Sequence, residues 1–206
     1  CETMDMGIEG LHTETGAGVL EAALRVRDGL QAADAAALFK LYTKVLAQKR
    51  DWLATFMAKW SKDWPGCGGH MHMSLWKDGK PVFFDEAAPH RMSQTMRHFV
   101  GGQRALMPEL LSMVASFSTP HRPDPTADAN PYLALAAAVG SGLWGVENGI
   151  DPGEPVQGNS YALEHPDEMQ LPRTLMDAAG RLKASKPARA LFGDAFVDHY
   201  AATRDW

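Results

Sequence analysis

Apolar and polar positions follow two different rhythms along this chain. Ile8 to Glu14 reads Ile-Glu-Gly-Leu-His-Thr-Glu, a short strand, and Leu20 to Val26 resumes the extended pattern after Gly16 and Gly18 interrupt it. From Asp28 to about Lys49 the period lengthens. Leu30, Ala33, Ala37, Leu41 and Val45 recur at three or four residues, predicting a helix with that face buried. Leu53 to Met57 reads as another short strand. His70 to Trp76 alternates, with His70, His72 and Ser74 on one side and Met71, Met73 and Leu75 on the other. Asp78-Gly79 marks a tight turn before Val82 to Phe84, which predicts a hairpin. Met92 to Phe117 is helical in character, with Pro108 marking a break. Ser118 to Asp128 is a Pro-rich loop, and Pro131 to Val146 a helix with proline in its first turn. Asn148 to Pro155 is a loop, and beyond Pro172 helices run to the end, divided near Pro187 and Gly193. Strands first and helices later predict an α+β fold, a mostly antiparallel sheet with flanking helices.

Composition narrows the function classes. The chain has 206 residues, 45% hydrophobic and 22% charged, which suits one large domain or two small ones. A formal net charge of -5 weighs against nucleic acid or an anionic membrane as partner. No apolar run is long enough to cross a bilayer. Cys1 and Cys67 form no CxxC pair, so reduced thiols in a cytoplasmic protein are expected rather than a disulfide framework or a thiolate zinc site. Cys1 to Gly10 carries acids, no basic stretch and no initiator Met at its start. It is not a secretory signal, and the chain is expected to begin inside something longer.

Three clusters can carry chemistry. In Gly66-Cys67-Gly68-Gly69-His70-Met71-His72-Met73-Ser74-Leu75, two histidines at spacing two share a strand face. Such a pair offers a metal ligand and a donor for phosphate, or is an exposed polar face. The glycines before it let a backbone approach a ligand closely. In Glu14-Thr15-Gly16-Ala17-Gly18-Val19-Leu20-Glu21, the separation of seven puts the carboxylates on opposite faces of a regular strand, but a bend at the glycines can bring them together. Two carboxylates and a neutral imidazole suit Mg²⁺ or Mn²⁺; two surface glutamates are the plainer reading. Asp128-Ala129-Asn130-Pro131-Tyr132-Leu133-Ala134-Leu135-Ala136-Ala137 is a capped, proline-started helix.

Taken in order, ETGAGVLE, AADAAALFK, ATFMAKW, GCGGHMHMSLWKDGKPVF, ADANPYLALAA and the tail FGDAFVDHY resemble the glutamine synthetase family over nearly the whole chain. The tail and the GVLE variant resemble its divergent branch that includes γ-glutamylpolyamine synthetases. The resemblance implies an ATP- and Mg²⁺- or Mn²⁺-dependent ligase joining glutamate's γ-carboxylate to ammonia or an amine. By position it implies metal ligation by Glu14, Glu21 and His70 and nucleotide contact by Glu9, His72 and Ser74. It also implies that Gly66 meets substrate glutamate and that the full-length protein forms a homo-oligomeric ring. No catalytic residue carries over.

Departures from the family pattern are equally legible. Val19 replaces a glutamine that is not a ligand, and Pro65 stands where asparagine is common. The N-terminal β-grasp domain and the second metal-binding glutamate pair are missing. Only Val114 to Pro123 fills the space where the family carries a mobile catalytic loop and its arginines, and His121 and Pro123 occupy the positions of its ExR segment. A segment around 114–123 is therefore expected to be missing. The alternative is a non-catalytic glutamine-synthetase-like module that binds nucleotide or partners.

Overall fold

The computed structural model describes residues 6–116, 124–125, 129–159 and 170–204. Its elements are β1 Ile8–Thr13, β2 Leu20–Leu24, α1 Gly29–Gln48, β3 Trp76–Lys77, β4 Lys80–Pro81, α2 Gln94–Val114, β5 Ala115–Ser116, β6 Asp124–Pro125, α3 Pro131–Asn148, α4 Leu175–Ala184, α5 Lys186–Phe192 and α6 Asp194–Ala202. The fold is α+β. Among the described residues the strands form three two-stranded antiparallel pairs, β1–β2, β3–β4 and β5–β6. The chain divides into two compact units, Cys1–His70 with Met113–Ala136, and Met71–Ser112 with Ala137–Trp206.

In the first unit, the glycines between β1 and β2 make a hairpin turn. Glu14 N donates to Val19 O at 3.0 Å, and Val19 N to Gly16 O at 3.0 Å. Gly18 takes a φ of 74°, a conformation that a Cβ would disfavour. α1 follows, entered through Asp28 and ended at Lys49, as its period predicts. Its burial differs from the prediction. Ala33 and Ala35 are buried, whereas Leu30, Leu41 and Val45 stand 66%, 55% and 37% exposed. Periodicity marks an apolar stripe; whether it is covered depends on what the chain brings against it. The predicted strand Leu53–Met57 is irregular extended chain, because no strand pairs with it among the described residues, and Leu53 is 94% exposed.

The N-terminal turn of α3 is tied to α1. Asn130 Oδ1 caps α3 by accepting from Tyr132 N at 3.0 Å and Leu133 N at 3.3 Å. Tyr132 Oη donates to Asp34 Oδ1 at 2.7 Å, and Lys40 Nζ to Ala129 O at 3.1 Å. The Asp34 carboxylate, accepting that hydrogen bond, pushes the Tyr132 hydroxyl above its ordinary pKa, with desolvation adding to it. Of the Pro-rich loop predicted for 118–128, Asp124–Pro125 pairs with Ala115–Ser116; His121, Asp128 and the rest lie outside the described residues.

In the second unit, Asp78 and Gly79, at φ 52° and 73°, form the expected turn. The returning strand is Lys80–Pro81 rather than Val82–Phe84, although Val82 N reaches Leu75 O at 2.9 Å. α2 begins at Ser93, whose Oγ accepts from Met96 N at 3.1 Å and donates to Val82 O at 2.6 Å. The break expected at Pro108 does not occur, and the helix runs through it. An interior proline costs an isolated helix about 3 kcal/mol. Here the flanking turns are held by Leu106, Leu110 and Leu111, all 3% exposed or less. α2 and α3 approach at Gly102 and Gly145, where a Cβ on either would collide with the other's backbone. α4 and α5 are capped by Thr174 and Ser185, and Gly193 at φ 82° separates α5 from α6. Leu182, Val197 and Tyr200 bury into this core, and Tyr200 Oη donates to Ser112 O at 2.6 Å.

Candidate functional site

The β1–β2 hairpin presents most of the predicted ligands of the first unit. In its register Glu21 lies opposite His12, and Thr13 opposite Leu20. Directly opposed residues share a sheet face. Alternation extends that face from His12 to the position of Glu14, just past the end of β1. The turn therefore does what the glycines permit: it folds Glu14 and Glu21 back onto one side. The register slips between Ile8 and Gly10, leaving Glu9 as the extra residue of a bulge. Strict alternation would put Glu9 on the opposite face from His12; a bulge resets the pleat and re-aims the side chain.

His70 joins this hairpin from a distant part of the chain. Its Nδ1 lies 3.6 Å from Glu21 Oε1, with the side chains 75% and 39% exposed. That separation is too long for a hydrogen bond. It fits two donors sharing one small cation, which at ligand distances of about 2.1 Å lie roughly 3–4 Å apart. The carboxylate oxygen is a donor that Mg²⁺ or Mn²⁺ takes, and the imidazole nitrogen one that softer divalent ions prefer. Glu14 does not complete a trio with them: among the described residues no three His, Cys, Asp or Glu side chains converge to hold an ion.

The approach to His70 is built by close backbone packing. Cys67 N donates to Ala58 O at 2.7 Å, and a Cβ on Gly66 would sit 2.7 Å from that same carbonyl oxygen. The missing side chain at Gly66 thus serves the chain's own packing. The carbonyl of Pro65 lies 3.7 Å from where a Cβ on Gly16 would stand, which sets this segment beside the hairpin turn. In the second unit, His72 and Ser74 are exposed on irregular chain leading into β3; Met73 and Leu75 are half-buried as the alternation predicts, but Met71 on the same predicted side is 43% exposed. Ser74 Oγ accepts from Trp76 Nε1 at 3.0 Å. An open depression of about 400 Å³ lined by Gln170, Leu171, Arg173, Thr174, Asp177 and Arg181 contains none of the predicted site residues.

Two features escape a reading of the sequence. His12 stands opposite Glu21; its spacing of two from Glu14 on a strand was the available signal. The neck joining Ala58 to Cys67 has no local signature, because it depends on a contact between residues nine apart in irregular chain.

Comparison with known proteins gives a consistent picture. The family described as glutamine synthetase, catalytic domain, matches residues 1–119 and 121–206. Type-1 glutamine synthetase 2 of Dictyostelium discoideum is 38% identical over 239 positions, covering 97% of this chain and 46% of that protein. A glutamate–isopropylamine ligase of Pseudomonas sp is 34% identical over 243 positions, covering 98% and 53%. Among solved structures, one described as apo GmaS without ligand superposes with a TM-score of 0.86 at 26% identity, over 98% of this chain and 56% of the other. One described as a GmaS/ADP complex gives a TM-score of 0.84 at 25% identity, over 98% and 57%. This chain spans about half the length of the curated relatives it matches.

Proposed function

Because this chain belongs to the glutamine synthetase family through its catalytic domain, we propose that it carries the ATP- and metal-handling part of a ligase that joins glutamate's γ-carboxylate to ammonia or an amine. The observation that carries the proposal is the meeting of Glu21 and His70 at 3.6 Å on the β1–β2 hairpin. In this reading Glu21 and His70 hold Mg²⁺ or Mn²⁺ with Glu14 joining them when the ion binds, while Glu9, His72 and Ser74 contact ATP and Gly66 meets glutamate. A carboxylate is a poor electrophile; transfer of ATP's terminal phosphoryl group gives γ-glutamyl phosphate, from which the amine displaces phosphate. A bound divalent cation supplies neutralisation of phosphate charge during that transfer. Glu21 comes from the hairpin and His70 from the loop tethered at Ala58, so two donors stand close together before an ion binds. The ligase reading carries with it a cytoplasmic location and a homo-oligomeric ring.

The same reading includes a family segment lacking near residue 120. The family match breaks between residues 119 and 121, and the alignments run over more positions than the 206 residues of the chain. The β5–β6 pairing holds the flanks Ala115–Ser116 and Asp124–Pro125 in register. A loop whose ends are already paired tolerates large changes in length, since closure entropy grows only logarithmically.

The second reading is a non-catalytic glutamine-synthetase-like module that binds nucleotide or partners. Titration of the chain with Mn²⁺, followed by the ion's paramagnetic resonance with and without ADP, separates the two. Saturable binding that falls at least tenfold in Glu21→Gln and His70→Ala is the expected result. Binding indifferent to both substitutions would remove the ligase assignment.

A further inference from the structure

Resting on the metal-binding part of the ligase reading, we propose that Gly10 sets metal selectivity: the space left by its missing side chain holds the His12 imidazole away from Glu21, so that one imidazole rather than two meets the cation. Gly10 lies within β1, opposite Ala23 and two residues before His12 on the same face. A Cβ on Gly10 would sit 3.0 Å from His12 Nε2 and 3.7 Å from its Cε1, with the Ala23 Cβ next at 3.8 Å. The ring is therefore laid back along the strand, over Gly10. Backbone conformation does not require the glycine, because Gly10 has no positive φ although it flanks the bulge. Glycine weakens a strand interior and commonly marks the close approach of another group. Here the imidazole is that group.

On this face His12 has Gly10 behind it, Glu21 across the ladder and the position of Glu14 ahead, past the end of β1. A ring displaced from Gly10 moves toward the carboxylates that the ligase reading assigns to the ion. With the ring laid back, His12 stays out of the set. Glu21 Oε1 meets His70 Nδ1 at 3.6 Å, and among the described residues no third His, Cys, Asp or Glu converges on them. One imidazole among carboxylates leaves the site to Mg²⁺ or Mn²⁺; a second would make the two-histidine, one-carboxylate set that Zn²⁺ favours.

Mn²⁺ and Zn²⁺ are titrated against each other on the 206-residue protein, with Mn²⁺ read by its paramagnetic resonance. The ratio of the two affinities should shift about tenfold toward Zn²⁺ in Gly10→Val, whose side chain fills the slot. In Gly10→Ala, whose methyl crowds the ring without filling the slot, the shift should be about threefold. Adding His12→Gln to either variant should restore the native ratio, since the displaced imidazole is then gone. In the native protein the His12 ring protons should show nuclear Overhauser contacts to the Gly10 α-protons. An unchanged ratio in both Gly10 variants, a shift that survives His12→Gln, or no ring contact with Gly10 would overturn the assignment. Failure of the ligase reading looks different: native Mn²⁺ binding would be indifferent to Glu21→Gln and His70→Ala, with the ring still against Gly10, and the selectivity role would fall with it.

Discussion

Gly102 and Gly145 illustrate how much rests on single atoms that are missing. A Cβ on Gly102 would collide with the carbonyl oxygen of Ser141, and one on Gly145 with that of His98, both backbone groups that cannot swing aside. Alanine at either site gains up to about 1 kcal/mol of helix propensity, but overpacking outweighs it. Gly145→Ala should lose about 3 kcal/mol in urea unfolding; a change within about 0.5 kcal/mol would show that the helices do not cross there. Arg189 makes a different kind of contribution. It bonds Asp198 at 2.7 Å and Asp194 at 2.8 Å, and the hydrogen bond from Arg189 holds the Asp198 carboxyl below its ordinary pKa. A depressed carboxylate stabilises the fold above its unfolded pKa of about 3.9, and that contribution is lost as pH falls through the folded value. The melting temperature should therefore drop on acidification below about pH 4 more steeply in the native protein than in Arg189→Met. Parallel curves would dismiss the pair as a contributor.

Helices and hairpins were the most legible features of the sequence, because their signals are local. α1 occupies the span its period marks, Asn130 caps α3, and Asp78-Gly79 turns the β3–β4 hairpin. Capping energies belong here as well. Thr174 Oγ1 accepts from Asp177 N at 3.1 Å at the start of α4, and Thr174→Ala should cost about 1 kcal/mol in the same unfolding assay. Indifference to that change would mean that the α4 start is held by packing alone. Pro108 and Leu53–Met57 went the other way. A buried leucine cluster overrides the proline, and a β-like run without a paired strand stays irregular.

For the chain as a whole, the two units differ in how they are filled. Among the described residues the first buries Met6, Ala33, Ala35, Ala58 and Met113, small alanines and flexible methionines. The second buries Phe99, Leu106, Leu110, Leu111, Leu182 and Val197. The proposed metal ligands Glu14, Glu21 and His70 stand on the first unit, and its α1 turns Leu30 and Leu41 outward. Replacing both by glutamine should leave urea stability within about 0.5 kcal/mol, as expected of exposed positions. A loss above about 2 kcal/mol would show that this face is covered in solution.

The sequence by itself determined the spans of α1 and α3, the Asn130 cap, the Asp78-Gly79 turn and the family, since propensity, period and motif order need only neighbours along the chain. Of the site it specified the residue types and their spacing: Glu14, Glu21, His70, His72. Tertiary structure alone decided that His70 reaches Glu21, that Gly66 packs against Ala58, that the apolar stripe of α1 faces outward and that α2 passes through Pro108. Each of these depends on which distant segment arrives to fill space, pair a strand or cover a face, and no local rhythm encodes that arrival.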